Sequence, residues 1–450
     1  MAAAVGVGVA LSASSAAANG RFPTSVSVHF RPGNTADVYL GTTFGLLVSY
    51  DDGAGFHWVC EQNVGYAGTY DPTYRIDDAG TIYATTFDGL RISRDGGCSF
   101  ETASESRPPN DPGVLPGIWV DALDLGTDGA VWVATAESGA SNDVYRSTDR
   151  GVTFTPLGLA SPVIWWRSLA VAPGQPRRAY VTGYQFRPAD PDGKDLPPIV
   201  HLYRTDDAGS SWTPLPVTSF VLGAAPLLRV EAVAPGDGSL VFARSVGAAP
   251  VAGDRLYRST DAGLTWTEVL ATTDTIRGVV VRASDEVLVA TITGGSRVSR
   301  DQGATFTPLP SAPQAACLGD RGDALFACGA NWDPDFFSLG RSADATAWTK
   351  VFRFIDLRGP LSCPAGTVQH DHCEVVMWPS IREQFGLPSP ADAGVDGPGP
   401  SGDSRGCCDA GGDATTTLGL ATIVLFVVTG RVRARRRATR GEHGTRAFGP

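Results

Sequence analysis

The chain has 450 residues, of which 42% are hydrophobic and 18% are charged, and its formal net charge is -11 at pH 7. This acidic balance excludes a typical nucleic-acid-binding protein, which needs a positive surface for phosphates. Long apolar stretches occur only at the two ends, which excludes a membrane protein with many spans. The 54 glycines and 32 prolines indicate a fold rich in turns.

The N-terminal segment has the composition of a secretory signal peptide. Residues Met1 to Leu11 are small and apolar, and Ala16-Ala17-Ala18 offers a cleavage site of small residues. The sequence therefore predicts a signal peptide over residues 1–18 and export of the mature chain. An alanine-rich tail without a targeting role is the alternative.

One motif, Ser/Thr-x-Asp-x-Gly-x-small-aromatic, recurs seven times. The seventh copy, Ser342 to Trp348, is one residue short and has Thr346 in place of the glycine. In such a motif the Asp and Ser side chains bond to nearby backbone groups, and the glycine supplies a positive φ. We therefore predict a structural and not a catalytic role for the seven aspartates, which are Asp51, Asp95, Asp149, Asp207, Asp261, Asp301 and Asp344.

Each copy of the motif has the same surroundings. Short strands such as Thr81 to Thr86 and Gly89 to Ser93 precede it, and its aromatic residue begins a fourth strand. Four short strands per unit of roughly 40 to 58 residues are typical of a propeller blade. The sequence therefore predicts an all-β fold, a seven-bladed β-propeller over residues 22–354 whose first and last blades lie side by side.

The repeats resemble the Asp-box, or BNR, repeat of sialidases, xyloglucanases, sortilin-type receptors and photosystem II assembly factors. The resemblance covers residues 22–354 and implies a sialidase-like superfamily propeller whose boxes lie away from any active site. A sialidase would also need a Tyr-Arg-Ile-Pro-like strand, of which Arg21-Phe22-Pro23 is at most a partial counterpart. The resemblance therefore concerns the fold, and a fold does not determine a function.

The C-terminal segment combines a linker, a cysteine pair, an apolar run and a basic tail. Residues 388–405 lack the apolar content of a core and are predicted to be disordered. Cys407 and Cys408 precede a short apolar run, Leu418 to Val428, and an arginine-rich tail that the positive-inside rule places in the cytoplasm.

Residues 406–440 resemble the MYXO-CTERM sorting signal of myxobacteria. The resemblance implies a short transmembrane helix, processing or lipidation at Cys407 or Cys408, and attachment of the body to the cell envelope or outer surface. A simple membrane anchor is the alternative.

The other six cysteines are predicted to form disulfides. We expect a bridge between blades one and two, a bridge across a hairpin, and a bridge that closes the C-terminal extension, residues 355–387: Cys60–Cys98, Cys317–Cys328 and Cys363–Cys373. Spacing alone does not fix this connectivity. A zinc site of Cys363, His370, His372 and Cys373 is the alternative, but an exported chain favours disulfides, so we expect neither metal nor cofactor.

Propellers bind ligands where the loops between strands two and three meet the connections between blades. These loops are long in four blades: Glu137 to Asp143, Gln185 to Val200, Ser245 to Asp254, and Asn331 to Asp335. Extra loop length on a rigid scaffold is the usual basis of recognition, although such loops also occur as plain surface.

Alignment of the opening strands places three arginines, Arg167, Arg229 and Arg277, at one equivalent position of blades four to six. The matching residues of blades two, three and seven are Asp71, Asp121 and Gln314. Since opening strands line the central channel, the arginines are suited to hold a carboxylate, phosphate or sulfate. The nearby tryptophans Trp119, Trp165 and Trp166 would offer stacking surface to a sugar. In the alternative, each arginine pairs with a local acid such as Glu231 or Asp121, and no ligand binds.

These features predict an exported, surface-attached propeller that binds a protein or a glycan without catalysis. A glycoside hydrolase of the sialidase or xyloglucanase type is the alternative, and it would need two carboxylates about 5–10 Å apart at the channel mouth. The sequence contains no glycine-rich phosphate loop, no His-Glu-x-x-His and no Gly-x-Ser-x-Gly motif.

Overall fold

A computed structural model describes residues 21–187, 191, 196–223, 227–247 and 252–387. They form seven sheets in sequence order, each built on four antiparallel strands, which confirms the predicted all-β, seven-bladed β-propeller. The predicted signal peptide, linker and sorting signal lie outside the described residues. Within the described part, none of the helices has the length and apolar character that crossing a bilayer requires.

The first three blades use twelve strands. In each blade the first strand lines the channel and the fourth lies at the rim. The strands are β1 (Ser25–Arg31), β2 (Asn34–Thr42), β3 (Gly45–Ser49), β4 (His57–Val59), β5 (Tyr74–Ile76), β6 (Ile82–Thr86), β7 (Gly89–Ser93), β8 (Glu101–Thr102), β9 (Val120–Leu125), β10 (Val131–Thr135), β11 (Val144–Ser147) and β12 (Thr155–Pro156). A short helix, α1 (Glu61–Val64), follows the first blade.

Blades four to seven repeat this order. Their strands are β13 (Ile164–Ala172), β14 (Gln175–Gln185), β15 (Ile199–Thr205), β16 (Thr213–Pro214), β17 (Leu228–Val233), β18 (Val241–Ser245), β19 (Arg255–Ser259), β20 (Thr267–Ala271), β21 (Ile276–Val281), β22 (Val287–Thr291), β23 (Arg297–Ser299), β24 (Thr307–Pro308), β25 (Cys317–Asp320), β26 (Leu325–Cys328), β27 (Leu339–Ser342) and β28 (Thr349–Phe352). The first strands of neighbouring blades touch, and β25 touches β1, so the sheets close into a ring.

The burial of the strands follows their place in the blade. Strands β6, β10 and β22 are buried over their whole length because neighbouring blades cover both faces. This is why they consist of β-branched, aromatic and small residues. At the rim, β12, β16 and β24 are each a Thr-Pro pair. Proline cannot donate a ladder hydrogen bond, which protects these edges from pairing with another chain.

The repeated motifs form the turns between the third and fourth strands. In the fifth copy, Asp261 accepts hydrogen bonds from the hydroxyl of Ser259 (2.8 Å) and from the N–H and hydroxyl of Thr265 (2.8 and 2.6 Å). Gly263 adopts a φ of 88°, and its N–H donates to the Ser259 hydroxyl. In the shortened seventh copy, Asp344 accepts from the N–H of Thr346 at 2.9 Å, but its contact with the Ser342 hydroxyl is longer, at 3.4 Å.

The two ends of the channel differ because adjacent strands run in opposite directions. The loops between strands two and three, and the connections between blades, form one end, which we call the front face. The turns between strands one and two, and the motif turns, form the opposite end, the back face. The repeated aspartates therefore belong to the back face.

The first and last blades meet directly, as predicted. The rings of Phe30 and Phe326 lie 4.9 Å apart between them. Arg321 of blade seven donates to the carbonyl of Thr35 (2.6 Å) and forms an ion pair with Asp52 of blade one.

Residues 354–387, which we call the clasp, cross the rim of blades one and two after the last strand. Their strand β29 (Gly359–Pro360) pairs in parallel with β4. A π-helical segment (Gln369–Met377) and α2 (Trp378–Gln384) follow. The buried side chain of Gln369 donates to the carbonyl of Trp58 and accepts from the N–H of Cys60, which fixes the clasp to blade one.

Two disulfides join the clasp to the propeller, Cys60–Cys373 and Cys98–Cys363, and a third, Cys317–Cys328, bridges β25 and β26. The hairpin bridge was predicted correctly. The predicted pairs Cys60–Cys98 and Cys363–Cys373 are wrong, because each rim cysteine faces the clasp that lies over it. The zinc alternative fails as well, since two of its ligands have no free thiolate. Three disulfides indicate that the protein folds in an oxidising compartment.

Candidate functional site

The channel mouth is shaped by irregularities in the opening strands. Asp121, Arg167 and Arg277 are each the extra residue at a register shift between the first and second strands of their blades. Such a bulge turns the side chain of the extra residue away from the regular alternation. In blade five the shift falls at Glu231, and Arg229 lies opposite Arg244 in regular pairing. The arginines are thus equivalent in sequence but not in local geometry.

Arg167 is held by two neighbours. Its Nε lies 2.7 Å from Oδ2 of Asp121, and its guanidinium lies over the ring of Trp119, 4.7 Å from the centroid. Burial raises the pKa of the Asp121 carboxyl, against the opposing charges of Arg167 and Arg229. The alternative interpretation of the sequence, local pairing of each arginine, therefore describes Arg167 correctly.

Arg229 and Arg277 differ from Arg167 in having no acidic partner nearby among the described residues. No carboxylate of the described residues lies within ion-pair distance of Arg229 or Arg277. Glu231, expected as a partner, instead accepts from Arg244 (2.7 Å), which also pairs with Asp254.

Two cavities occupy the channel and share part of their lining. A cavity of about 510 Å³ is lined by Arg167 and Arg229, and a cavity of about 1220 Å³, which reaches the turns of the back face, is lined by Arg277. The structure therefore brings Arg167 and Arg229 together but places Arg277 in the larger cavity. Among the described residues there is no group of three or more side chains suited to bind a metal ion.

A row of aromatic rings crosses the front face beside the channel mouth. We call it the aromatic band, and its members are Tyr70, Phe87, Trp119, Trp165, Tyr184 and Phe186. Consecutive centroids lie 4.6 Å (Tyr70–Phe87), 5.0 Å (Phe87–Trp119), 6.1 Å (Trp119–Trp165) and 5.4 Å (Trp165–Phe186) apart, and Tyr184 touches both Trp165 and Phe186. The band spans blades two to four.

Two rings of the band are exposed to solvent. Phe87, in the turn between β6 and β7, is 48% exposed, and Phe186, after β14, is 57% exposed. Trp119 and Trp165 are half-buried between them. A continuous row of partly exposed aromatic rings makes this surface a candidate for ligand recognition.

The band lies on specific backbone features. Gly183 faces the start of β13, where an added Cβ would lie 2.7 Å from both the carbonyl oxygen of Trp165 and the Trp166 ring. Only glycine lets the two strands approach this closely. Burial raises the pKa of Tyr70 to about 12, so its phenol stays neutral, and it shares a hydrogen bond of 2.7 Å with the Thr85 hydroxyl.

Two of the predicted site residues are engaged by other parts of the protein. Trp166 is fully buried in the blade core, where it packs edge-on against Tyr203, because β13 directs successive side chains to opposite faces. Asp71 is bound by both terminal nitrogens of Arg21, at 2.7 and 2.8 Å.

The sequence analysis found Trp119 and Trp165 but missed Phe87, Tyr184, Phe186 and Tyr70. These four residues share one sequence feature, an aromatic residue in a segment that forms the front face. That feature can be recognised only after the loops of each blade have been assigned.

No protein-family model matches the chain, and no curated protein matches it. Among solved structures, it is similar to a GH74 xyloglucanase from Xanthomonas campestris, with 13% identity, coverage of 74% of each chain and a TM-score of 0.37. It is also similar to YCF48 from Cyanidioschyzon merolae, with 14% identity, 68% and 92% coverage of this and that chain, and a TM-score of 0.43.

A third similar structure is PorZ, a bacterial surface component of the type-IX secretion system of Porphyromonas gingivalis. It has 14% identity, 71% and 46% coverage of this and that chain, and a TM-score of 0.46. At these identities and TM-scores the similarities do not indicate a shared ligand or activity.

Proposed function

We propose that this protein is a non-catalytic binding module that holds an acidic polysaccharide on its front face. The aromatic band carries the proposal. Aromatic rings offer flat apolar surfaces whose faces are electron-rich, and these surfaces suit the C–H faces of sugar rings. Because the band is a row and not a pocket, it fits an extended chain of sugar units better than a small molecule.

Two arginines of the channel support an acidic ligand. Arg229 and Arg277 line the channel cavities, and neither is neutralised by a carboxylate at ion-pair distance among the described residues. Guanidinium groups bind carboxylate and sulfate with paired hydrogen bonds. A sugar chain on the band would therefore direct acidic substituents towards the channel mouth.

The hydrolase alternative is less well supported. A glycosidase needs one carboxyl group as acid and a second as base or nucleophile. Asp121 and Glu231, the acids of the channel mouth nearest the arginines, are each held in an ion pair, with Arg167 and Arg244. Each of these acids is therefore already paired with an arginine, which makes it a poor candidate for a catalytic acid or base.

Surface attachment belongs to the same proposal. A mature chain that begins near Asn19 and is processed at Cys407 or Cys408 would carry the propeller on the outside of the cell, joined to the membrane by its C-terminal segment. Radiolabelled lipid incorporation into wild-type protein, but not into a Cys407→Ser/Cys408→Ser variant, tests this part separately.

A glycan array followed by affinity electrophoresis tests the binding function. The two gel probes are polygalacturonate and its methyl-esterified form, which has the same backbone without the charge. Trp165→Ala should weaken binding of both probes about tenfold, which corresponds to about 1.4 kcal/mol. Leu264→Ala, which removes an exposed apolar side chain from the back face, is the matched control.

The charge is tested with Arg229→Gln/Arg277→Gln, which should weaken binding of polygalacturonate and leave the methyl ester unaffected. Absence of any glycan binding by the wild-type protein, or equal binding by Trp165→Ala, would overturn the proposal. Release of reducing ends from a bound glycan, lost in Asp121→Asn, would favour the hydrolase instead.

A further inference from the structure

A second group of exposed aromatic rings lies on the front face, outside the aromatic band. The loop between β26 and β27 of blade seven presents Trp332, which is 40% exposed, and Phe336, which is 53% exposed. The ring of Phe22 packs on Trp332, with centroids 4.8 Å apart, and is itself 70% exposed. We call these three residues the second platform.

The loop that carries this platform is anchored by hydrogen bonds at its base. The Asp335 carboxylate accepts hydrogen bonds from the N–H of Ala330 (2.8 Å) and the N–H of Gln314 (3.1 Å). Asn331 is buried, and its Oδ1 accepts from the Ser338 hydroxyl and the Phe354 N–H. These bonds anchor the loop at its base, so the two rings are held outward by a defined structure.

The conformation of Phe336 adds a second observation. Its φ is +59°, in the left-handed region that a bulky side chain rarely adopts. A residue held there costs about 1–3 kcal/mol and persists only when its surroundings enforce it. Phe336 is 53% exposed, so burial of its side chain offsets only part of this cost. The molecule therefore keeps a strained backbone and an exposed ring at the same position, which is a pattern of binding sites.

The second platform is joined to the aromatic band. Arg21 precedes Phe22 in the chain, and its guanidinium binds the Asp71 carboxylate through two nitrogens. Asp71 directly follows Tyr70, the first residue of the band. Phe22 and Tyr70 are thus each next in sequence to a partner of this ion pair, which links the platform to the start of the band between blades one and two.

We infer that the second platform is a distal subsite for further sugar units of the same glycan chain. The inference rests on the proposed function, and it adds that the protein selects polymers over short oligomers. A chain bound on the band presents its next units to the platform at high effective concentration. Engagement of both sites strengthens binding of a polymer without any new contact for an oligomer too short to span them.

The test compares polygalacturonate with galacturonate trimers, by calorimetry, on wild-type protein and Trp332→Ala. Val376→Ala, which truncates an exposed side chain of the clasp, is the control. We expect wild-type protein to bind the polymer about 100-fold more tightly than the trimer. Trp332→Ala should lose most of this difference and bind the trimer like the wild type. Phe336→Gly, which removes the ring and the strain together, should give the same loss with an equal or higher Tm.

The outcomes separate the two proposals. If both ligands bind and Trp332→Ala keeps the full preference for the polymer, the second platform is not a subsite, while the proposed function stands. If wild-type protein binds neither ligand and no glycan on the array, the proposed function fails, and this inference fails with it.

Discussion

Arg258 of blade five donates a hydrogen bond from its Nε to the main-chain carbonyl of Gln302 in blade six, over 2.6 Å. The carbonyl belongs to the residue before the glycine of a repeated motif, and that residue has a φ of 60°. The same relationship joins Arg204 to Ala262 at 2.7 Å. A guanidinium therefore fastens the motif turn of one blade to the blade before it.

This contact predicts that Arg258→Met lowers the free energy of unfolding by about 1–2 kcal/mol, because the Gln302 carbonyl loses a charged donor. Arg300→Met is the control, since Arg300 is largely exposed and makes only a 3.6 Å ion pair with Glu286. Urea denaturation measures the difference, and amide exchange should increase at Gly303 to Thr305. Equal losses in the two variants would contradict a role in joining blades.

The repeated aspartates should differ in their contribution to stability according to their contacts. Asp261→Ala removes the acceptor for three groups of its turn, from Ser259 and Thr265, and should lower the Tm clearly. Asp344→Ala, in the shortened seventh copy with its 3.4 Å contact, should lower it less. Calorimetric melting of both variants checks this order, and the reverse order would refute it.

The same carboxylates predict an acid limit to stability. Hydrogen bonds from Ser211, together with the Thr205 hydroxyl, lower the pKa of Asp207 to about 2. Because this pKa is lower in the folded state, the stabilisation is complete above the unfolded value near 4 and is lost as the pH falls through about 2. Melting between pH 5 and about 2 should therefore show a falling Tm. Asp207→Asn should have a shallower fall, and an unchanged slope would exclude this cause.

The two clasp disulfides should contribute more to the free energy of unfolding than the hairpin disulfide does. Cys60–Cys373 and Cys98–Cys363 close loops of 313 and 265 residues, whereas Cys317–Cys328 closes one of 11. Serine at all four clasp positions should cost more than about 5 kcal/mol, the value for a single long loop, against about 3 kcal/mol for the hairpin pair. Denaturation with and without reductant measures both, and limited proteolysis should cut the clasp only in the first variant. Resistance of that clasp to protease would show that its packing suffices.

The fold could be predicted because every blade contains the same short sequence motif. Each copy of the motif, such as Ser259 to Trp266, contains its own turn chemistry, and the spacing of copies gives the number of blades. The position of Cys317 and Cys328 on either side of a short turn was also sufficient to predict the disulfide between them. By contrast, the partners of Cys60 and Cys98 depend on where the clasp lies on the rim, which no local pattern specifies.

The candidate site could be predicted only in part for a similar reason. Equivalent sequence positions led to Arg167, Arg229 and Arg277, but bulges and neighbouring acids decide which charges remain available. Trp119 and Trp165 could be recognised as candidate site residues because they lie close in sequence to Asp121 and Arg167. Phe87 and Phe186 join them only through the closure of separate blades, so their assembly into a row is a property of the tertiary structure.

The crosslinked clasp also determines how the molecule would bear load. A pull on Leu387 passes through α2 to Cys373 and from there, by a covalent bond, into Cys60 at the rim of blade one. The force is therefore not transmitted through β28, the last strand of the propeller. Without the disulfide, β28 would be the first strand to separate from its sheet. If the C-terminal segment is attached to the membrane as proposed, a pulling force on it would not separate β28 from its sheet first.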